Sequence, residues 1–395
     1  MNTVIGERNA IITGIGQSEV GRKLGRSGVS LTVEASIEAI ADAGLTRDDI
    51  DGVATYPGAT NASPGMSPHG VNELKEAMRL NLDWFSGGGE IPGQLGAVMN
   101  AIAAVAAGYC NNVLVFRTVT ESSAQTAGRR ASVVGSGSGR ADGWAQWMVP
   151  FGAMSAANWI AMYAQRYMHE YGLTREQLGQ IALTARYHAG LNPKAIFRSP
   201  MTMDDYLSAR MISWPFGLLD CDVPCDGSTV VIVSRADAAA DFQNVVRIEA
   251  VGAALHGRSS WDQRADLTTM AANDAAAAMW KRTDLKPTDV DLVQLYDGFT
   301  WLTLCWLEAL GFFPKGEAGP WLEGGARIRL GGELPLNTHG GQLSGGRLHG
   351  YGYLHEACLQ LRGQAGARQV VGAEVAAVGA GGGPIGGSLL LTANR

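Results

Sequence analysis

Apolar runs that end in glycine alternate along the chain with apolar residues at helical spacing. Residues 9–16 are predicted to form a buried strand, and residues 31–43 place three aliphatic side chains on one face of a helix. Residues 44–54 then predict a turn that leads into a second strand. Strands that alternate with helices in this way predict an α/β protein whose mixed sheets are buried on both faces.

The same order of elements recurs in the second part of the chain. A strand is predicted at 245–253 and a helix at 267–281, after which residues 285–293 repeat the phrase of residues 45–53. The matching pairs all lie 240 positions apart: Leu45 and Leu285, Asp49 and Asp289, Ile50 and Val290, Asp51 and Asp291, Val53 and Val293. Chance similarity between two common α/β phrases is the alternative, but the matching order of elements favours an internal duplication.

A helix that follows glycines, and then a strand, is predicted in each half. The predicted elements are a helix at 94–107 with strands at 112–116 and 230–234, and a helix at 351–362 with strands at 369–373 and 388–392. We therefore expect two βαβαβ halves, residues 1–244 and 245–395, in a layered α-β-α-β-α core.

A long insertion interrupts the first half at about residues 118–215. It is rich in glycine, serine, methionine and aromatic residues, and its apolar spacing predicts one helix at 154–171. Insertions on a rigid α/β core commonly build the substrate site or a contact between subunits.

Composition narrows the classes of partner. Of the 395 residues 46% are hydrophobic and only 17% are charged, which favours oligomerisation or a protein partner. The net charge of −6 argues against nucleic acid or an anionic membrane as the main partner. There is no apolar signal-peptide core at residues 1–10 and no run of about 18 apolar residues, and the five cysteines are scattered. We expect a cytoplasmic protein with reduced thiols and no metal site of its own.

The segment 337–350 carries the densest concentration of candidate chemistry. It holds five glycines, two histidines and an arginine immediately before the predicted helix 351–362. Glycines permit close backbone approach, and the N–H groups of a helix N-terminus favour developing negative charge. The segment is therefore suited to stabilising an oxyanion or an enolate, although a tight structural turn between strand and helix remains the alternative.

Three phrases carry a resemblance to a known superfamily. They are Leu-Tyr-Asp-Gly-Phe-Thr at 295–300, Asn-Thr-His-Gly-Gly at 337–341 and Gly-Gly-Gly at 381–383. Together with the duplicated halves, they resemble the thiolase superfamily and its sterol-carrier-protein-type branch. Within that branch the chain most resembles the steroid side-chain-cleaving aldolases, and the likeness extends over nearly the full chain.

This resemblance implies a retro-aldolase, a carbon–carbon lyase that acts on a coenzyme A thioester. The substrate would be a β-hydroxyacyl-CoA with a bulky group such as a steroid or aryl ring, cleaved to a ketone or aldehyde and a shortened acyl-CoA. The resemblance also implies a homodimer and a small partner protein with an OB-fold and a zinc ribbon, which would hold any zinc. No cofactor is expected in this chain.

The chain departs from the catalytic pattern of thiolases. Their nucleophilic cysteine belongs near residues 89–93, where no cysteine is present. Their loop histidine falls on Arg347 and their second cysteine near Gly379, so covalent acyl transfer by the usual route is not expected. The tyrosine that the aldolases carry in the second-half loop also falls on Arg347, whereas Tyr296 is kept. Either the base has moved, or the chemistry has changed, or this copy is not catalytic.

The candidate catalytic residues are Tyr296, Arg347 and His349. His349 could act as base or donor or could hold the loop, and Arg347, which stays protonated, could bind a thioester oxygen, a carboxylate or a phosphate of coenzyme A. The candidate substrate and oxyanion-loop residues are Asp297, His339, Gly340, Gly341, Gly381, Gly382 and Gly383.

Aromatic residues in or near the insertion offer a wall for a large apolar acyl group, with ordinary core packing as the alternative. They are Trp144, Trp147, Trp159, Trp214 and Trp261. Two other functions stay open. One is a non-catalytic thiolase-like subunit that binds acyl-CoA or scaffolds a partner, and the other is an acyltransferase with an unconventional nucleophile such as Ser86.

Overall fold

The computed structural model describes residues 6–56, 64–126, 143–258 and 264–394. Its strands are β1 (Ala10–Gln17), β2 (Gly52–Thr55), β3 (Trp84–Gly87), β4 (Asn112–Thr120), β5 (Met211–Ser213), β6 (Phe216–Gly217), β7 (Asp226–Arg235), β8 (Val246–Gly252), β9 (Leu292–Leu295), β10 (Val375–Ala380) and β11 (Gly387–Ala393). Its α-helices are α1 (Gly28–Asp42), α2 (Val71–Met78), α3 (Gly96–Ala106), α4 (Glu121–Thr126), α5 (Ala156–Tyr171), α6 (Arg175–Leu191), α7 (Met203–Ser208), α8 (Ala271–Trp280), α9 (Thr300–Ala309), α10 (Ala318–Leu322) and α11 (Tyr351–Leu361).

Nine strands form one mixed sheet in the order β3-β2-β4-β7-β1-β8-β11-β10-β9. The strands of the first half lie together on one side, and those of the second half lie together on the other. The two half-sheets join where β1 runs antiparallel to β8, through the pairs Ile11–Arg247 and Ile12–Val246. Strands β5 and β6 form a separate hairpin in the insertion.

Each half-sheet is covered by helices on both faces. In β7, Val231 and Val233 pack into a core that contains α3, α11 and strands of both halves, whereas Val230 and Ile232 pack on the other face against α1 and α2. The outer face of the second half-sheet packs against α8 and α9. Because successive side chains of a strand point to opposite faces and both faces are covered, strands such as β1, β4 and β7 are buried almost throughout. The order of layers is α-β-α-β-α, as the sequence predicted.

The duplication is visible in the details of each half. Single 3₁₀ turns at Arg47–Asp49 and Pro287–Asp289, and the strands β2 and β9 that follow them, keep the offset of 240 positions. The carboxylate of Asp51 accepts hydrogen bonds from the N–H groups of Asn111 and Asn112 at 2.8–3.0 Å, at the start of β4. The carboxylate of Asp291 accepts from Glu374 and Val375 at 2.8 and 2.9 Å, at the start of β10. The boundary between residues 244 and 245 stays a prediction.

Two elements differ from those predicted. The strand expected at 369–373 is wrong, because this segment contains the positive φ of Gly372 (73°) and a Val371 that is 96% exposed, so the strand begins only at Val375. In its described residues the insertion carries four helices, α4 to α7, of which α5 is the predicted one. Helix α6 has a capping box in which Thr174 accepts from the Gln177 N–H and the Gln177 side chain accepts from the Thr174 N–H.

Candidate active site

Arg347 lies at the centre of a buried ion-pair cluster that joins both halves of the chain. Its Nε and Nη2 donate to the two carboxylate oxygens of Glu121 at 2.9 and 2.8 Å, and its Nη1 donates to Asp222 at 3.0 Å. Its backbone N–H donates to the carbonyl of Val223 at 2.9 Å. Glu121 follows β4 in the first half, whereas Arg347 precedes α11 in the second, so the pair fastens the two active-site loops together.

The two carboxylates of this cluster outnumber its arginine. Burial raises the pKa of Asp222 to about 6, and the negative charge of Glu121 adds to the increase while Arg347 opposes it. The same carboxylates raise the pKa of Arg347 against the opposing effect of burial, so this arginine stays charged. Because its guanidinium is already neutralised, Arg347 is less available to bind an anionic group of a ligand.

Tyr296 follows β9 and lies in the field of this cluster. Its backbone N–H donates to the carbonyl of Gly379 in the neighbouring strand at 2.8 Å, and its ring folds back over Gly298. Burial raises the pKa of Tyr296 well above its usual value, and the charges of Asp222 and Glu90 raise it further. The phenol is therefore protonated at neutral pH and is suited to donating a hydrogen bond rather than to removing a proton.

Glu90 and His349 face each other on the other side of the site. The Oε1 of Glu90 lies 3.9 Å from Nδ1 of His349, and the Gln94 amide donates to the same oxygen. Burial and the cations Arg117 and Arg347 lower the pKa of His349 well below its usual value, so its imidazole is neutral. Burial raises the pKa of Glu90. His349 has a φ of 52°, and the Tyr56 hydroxyl donates to its carbonyl, which holds this strained residue in place.

Arg117 lies behind this pair in β4 and is 1% exposed. Its Nη1 donates to the carbonyl of Thr118 at 2.9 Å, and its guanidinium stacks over the ring of Tyr56 at 4.9 Å. Its Nε and Nη2 have no hydrogen-bond partner among the described residues. A buried cation with two free donors supplies a strong positive potential to the groups around it.

Two helix N-termini converge on the same point. Helix α3 begins shortly after Gln94, and α11 begins directly after Gly350, whose φ is 93°. A Cβ placed on Gly350 would lie 2.5 Å from the Cβ of Gln94, so the two helix starts are in close contact. The partial positive charges of both ends favour negative charge on a ligand between them.

The phrases at 295–300 and 337–341 fold into one loop junction. The side chain of Asn337 bonds both backbone groups of Leu295, at 2.7 and 2.8 Å. Asp297 accepts from the N–H of Gln342 at 2.7 Å and from the Tyr353 hydroxyl, and a Cβ on Gly341 would lie 1.8 Å from its Oδ2. The hydrogen bonds of Asp297 and the close approach of Gly341 to it therefore determine the conformation of the loop around residues 337–342.

His339 and Gly340 point away from the Arg347 cluster. The Nδ1 of His339 bonds the Gln294 side chain at 3.1 Å, and burial lowers its pKa to about 4. His339 faces a separate cavity of about 290 Å³ that it shares with His355. A Cβ on Gly340 would lie 2.7 Å from that of Ala189, so this glycine allows α6 to pack closely.

The glycines at 381–383 pack beside the Glu90 loop. The carbonyl of Ala380 would lie 2.5 Å from a Cβ on Gly93, and the carbonyl of Gly381 accepts from the Trp306 indole at 2.8 Å. The carbonyl of Gly383 accepts from the Ala271 N–H at 2.9 Å, and a Cβ on Gly382 would lie 3.0 Å from Leu302. This loop is thus close-packed beneath the site and next to Gly350.

The aromatic residues of the insertion divide into buried and exposed ones. Trp159 is 1% exposed and belongs to the core, whereas Trp147 and Trp214 are more than half exposed. The Trp144 side chain and the whole of Trp261 lie outside the described residues.

None of the thiols has the character of a nucleophile. The five cysteines are free, and burial raises the pKa of each of them, to about 12 for Cys110 and Cys358. Ser86, the other candidate nucleophile, lies in β3 opposite Ala54 at the edge of the sheet. The described part of the site therefore offers acids, bases and hydrogen-bond donors but no activated thiol.

Comparison with known proteins shows the family of this chain. Residues 253–391 match the family described as thiolase C-terminal domain-like. The chain is 36% identical over 364 residues to a steroid side-chain-cleaving aldolase of Thermomonospora curvata, covering 90% of each chain. It is 35% identical over 392 residues to the 17-hydroxy-3-oxo-4-pregnene-20-carboxyl-CoA lyase of Mycobacterium tuberculosis, covering 96% of this chain and 98% of that one. The chain belongs to the steroid side-chain-cleaving aldolases of the thiolase superfamily.

A solved structure described as the Ltp2-ChsH2(DUF35) aldolase matches the fold. It superimposes with a TM-score of 0.86 at 34% identity and covers 98% of both chains. The predicted membership of the aldolase branch is therefore confirmed.

The segment 89–93, which the sequence resemblance predicted to correspond to that of the thiolase nucleophile, holds a carboxylate. Glu90 lies inside the stretch 89–93 and points at His349. Sequence reasoning noted the missing cysteine there but did not single out Glu90. It also missed Glu121 and Asp222, for which the local sequence gives no signal because their partner Arg347 is more than 120 positions away in each case.

Proposed function

We propose that the chain catalyses the retro-aldol cleavage of a β-hydroxyacyl-CoA with a bulky steroid or aryl substituent. The products are a ketone or aldehyde and a shortened acyl-CoA. One observation carries this proposal: two helix N-termini meet at an acid–base cluster in which a carboxylate occupies the segment of the thiolase nucleophile. The names of the two relatives, an aldolase and an acyl-CoA lyase, support it.

The reaction needs proton transfer and charge stabilisation but no covalent intermediate. A base removes the proton of the β-hydroxyl group. The electron pair of the broken O–H bond then forms the C=O bond of the ketone or aldehyde. The Cα–Cβ bond breaks, and its electrons form the enolate of the shortened thioester. A proton then returns to Cα, so that no net proton is consumed.

We assign the enolate oxygen to the region between the N-termini of α3 and α11. Developing negative charge is stabilised there by two aligned sets of N–H groups. Tyr296, held protonated by its burial and by the carboxylates around it, donates a hydrogen bond to a substrate oxygen. The neutral His349 orients the polar groups on the side of the site opposite Tyr296. Asp297 and Gly341 fix the conformation of the loop that supports this arrangement.

Arg347 replaces the loop tyrosine of the related aldolases, and we propose a positioning role for it. Its ion pairs with Glu121 and Asp222 hold the first-half and second-half loops in register around the substrate. This assignment explains how the site keeps its shape although the tyrosine is absent.

We propose two kinds of partner. Strand β3 is the outer strand of the sheet in the described part of the chain, and Phe85 on it is 65% exposed, which suits edge-to-edge pairing in a homodimer. The matched solved structure is named for two components, Ltp2 and ChsH2(DUF35), which supports a small partner protein here as well. We expect that partner to have an OB-fold and a zinc ribbon.

The five free cysteines agree with a cytoplasmic location. Among the described residues no helix is both long enough and apolar enough to span a bilayer.

The test is an assay of the chain co-expressed with a zinc-ribbon partner. The complex is incubated with a β-hydroxyacyl-CoA that bears a steroid or phenyl ring on Cβ, and the products are followed by mass spectrometry. Formation of the ketone or aldehyde together with the shortened CoA ester supports the retro-aldolase. Intact substrate that co-purifies with the complex would overturn it in favour of a binding subunit.

A further inference from the structure

The four carboxylates near the site differ in how firmly they are held. Both oxygens of Glu121 and one of Asp222 accept from Arg347, and Asp297 accepts from backbone N–H groups and from Tyr353. Glu90 has no arginine or lysine within ion-pair distance among the described residues, and it accepts a hydrogen bond from the neutral amide of Gln94. Glu90 can therefore exchange a proton without breaking an ion pair, unlike Glu121 and Asp222, and without disturbing the backbone hydrogen bonds that hold Asp297.

Glu90 is also the carboxylate that a substrate can reach. Its side chain is 28% exposed, compared with 3% for Glu121 and 9% for Asp222. It lies in the loop that leads into α3, next to the point where α3 and α11 meet. A substrate whose enolate oxygen occupies that point would place its Cα and β-hydroxyl group close to this carboxylate.

The charges around Glu90 suit reversible proton transfer. Arg117 in β4 and Arg347 before α11 favour its ionised form, whereas burial favours its protonated form and is the larger effect. The neutral His349 faces it at 3.9 Å, and Tyr296 lies within its electrostatic reach. Arg117 is a buried cation whose Nε and Nη2 have no hydrogen-bond partner among the described residues, and its charge favours the ionised form of Glu90.

We propose that Glu90 is a catalytic residue of the retro-aldol reaction and that Arg117 supplies a positive charge behind it. The Glu90 carboxylate accepts the proton of the β-hydroxyl group as the Cα–Cβ bond breaks. The resulting carboxylic acid gives the same proton to Cα of the enolate, which completes the acyl-CoA and restores the carboxylate. This assignment rests on the proposed function, because it names the proton carrier of that reaction.

The first test compares Glu90→Gln with Glu76→Gln, a change of the same type at a side chain that is 78% exposed. In the complex with its partner, Glu90→Gln should lower kcat by about 10²- to 10⁴-fold with KM changed by less than about threefold. Glu76→Gln should behave like the wild type, and Glu90→Asp should recover part of the lost activity. Circular dichroism and thermal melting establish that each variant is folded, and Glu90→Asp serves if Glu90→Gln is not.

The second test uses exchange rather than cleavage. The shortened acyl-CoA is incubated in D₂O with each variant, and the deuterium on Cα is measured by mass spectrometry. The wild type should exchange this hydrogen and Glu90→Gln should not. Arg117→Gln, which removes the counter-charge, should move the acid limb of the kcat profile to higher pH, an effect that a purely structural role would not produce.

The outcomes separate the two proposals. A wild-type complex that neither cleaves the substrate nor exchanges the Cα hydrogen would overturn the retro-aldolase itself. A wild type that cleaves, with a folded Glu90→Gln that cleaves equally fast, would overturn the role of Glu90 and leave the function intact.

Discussion

The guanidinium of Arg347 donates hydrogen bonds to both carboxylate oxygens of Glu121, at 2.8 and 2.9 Å, although the two residues are 226 positions apart. The geometry is that of a two-point arginine–carboxylate pair, which is stronger and more directional than a single contact. Glu121 is almost fully buried, so the pair connects the two halves in a region that water barely reaches.

Removal of Arg347 should destabilise the fold as well as the site. Arg347→Met leaves Glu121 and Asp222 as neighbouring buried carboxylates without a counter-charge, at a cost of about 3 kcal/mol. Urea unfolding at pH 7 measures this loss. In the triple variant Arg347→Met, Glu121→Gln and Asp222→Asn, most of the stability should return, and a triple variant as unstable as the single one would contradict the ion-pair explanation.

Tyr296 should affect turnover rather than stability. Tyr296→Phe removes the hydroxyl group that we propose donates to a substrate oxygen. We therefore expect kcat to fall by about 10- to 1,000-fold while the melting temperature stays within about 2 °C of the wild type. The matched control is Tyr353→Phe, which removes the hydroxyl that donates to Asp297 and should lower the melting temperature. Equal turnover in Tyr296→Phe and the wild type would exclude a role for this phenol.

Asp297 should give the folded state a distinctive pH dependence. Burial raises its pKa to about 6, above the value of about 3.9 in the unfolded chain. Between these pH values the folded state binds more protons than the unfolded chain, so the contribution of Asp297 to the free energy of unfolding falls by about 2 kcal/mol as the pH rises from 4 to 7.

Asp297→Asn removes this titration. The free energy of unfolding of the variant minus that of the wild type should therefore become more positive as the pH rises over that interval. Denaturant curves at pH 4, 5, 6 and 7 check the sign. A difference that does not change with pH would mean that Asp297 titrates near its ordinary pKa.

Gly341 should tolerate no side chain. Its φ is 58°, and a Cβ would lie 1.8 Å from the Asp297 carboxylate, so Gly341→Ala must displace the loop and should cost more than about 3 kcal/mol. Gly363→Ala is the control, because Gly363 has a similar φ of 70° but open space around it. That variant should cost about 1 kcal/mol. Thermal unfolding of both variants separates steric conflict from backbone strain.

Elements whose ends follow local sequence rules were predicted correctly from the sequence. Helix α11 begins at Tyr351 as expected, because Gly350 supplies the positive φ that ends the preceding loop. The offset of 240 positions located β9 from β2, since each strand follows the same 3₁₀ turn. Strand β10 was misplaced because Val370 and Val371 have strand propensity, but the sheet pairs the later, smaller residues from Val375 onward.

The candidate site was predictable only in part. The phrases of the aldolases pointed to Tyr296, Arg347 and His349, and the structure brings these three into one electrostatic cluster. The partners that set their charges were not visible, because Glu121, Asp222 and Arg117 come from distant segments that tertiary packing brings together. His339 lies in one of these phrases, at 337–341, but it faces another cavity and bonds the Gln294 side chain. The loop turns between His339 and Arg347, so the two side chains enter different sites.

Helices α3 and α11 lie in one apolar core between the two half-sheets, and this has a consequence for synthesis on the ribosome. When the first half emerges, α3 has β4 and β7 on one side and nothing on the side that strands β8 to β11 and α11 will cover. That apolar surface stays open until translation has passed β11 at Gly387–Ala393. We therefore expect the nascent first half to expose apolar surface of the kind that chaperones bind, and a chain released between the halves to aggregate.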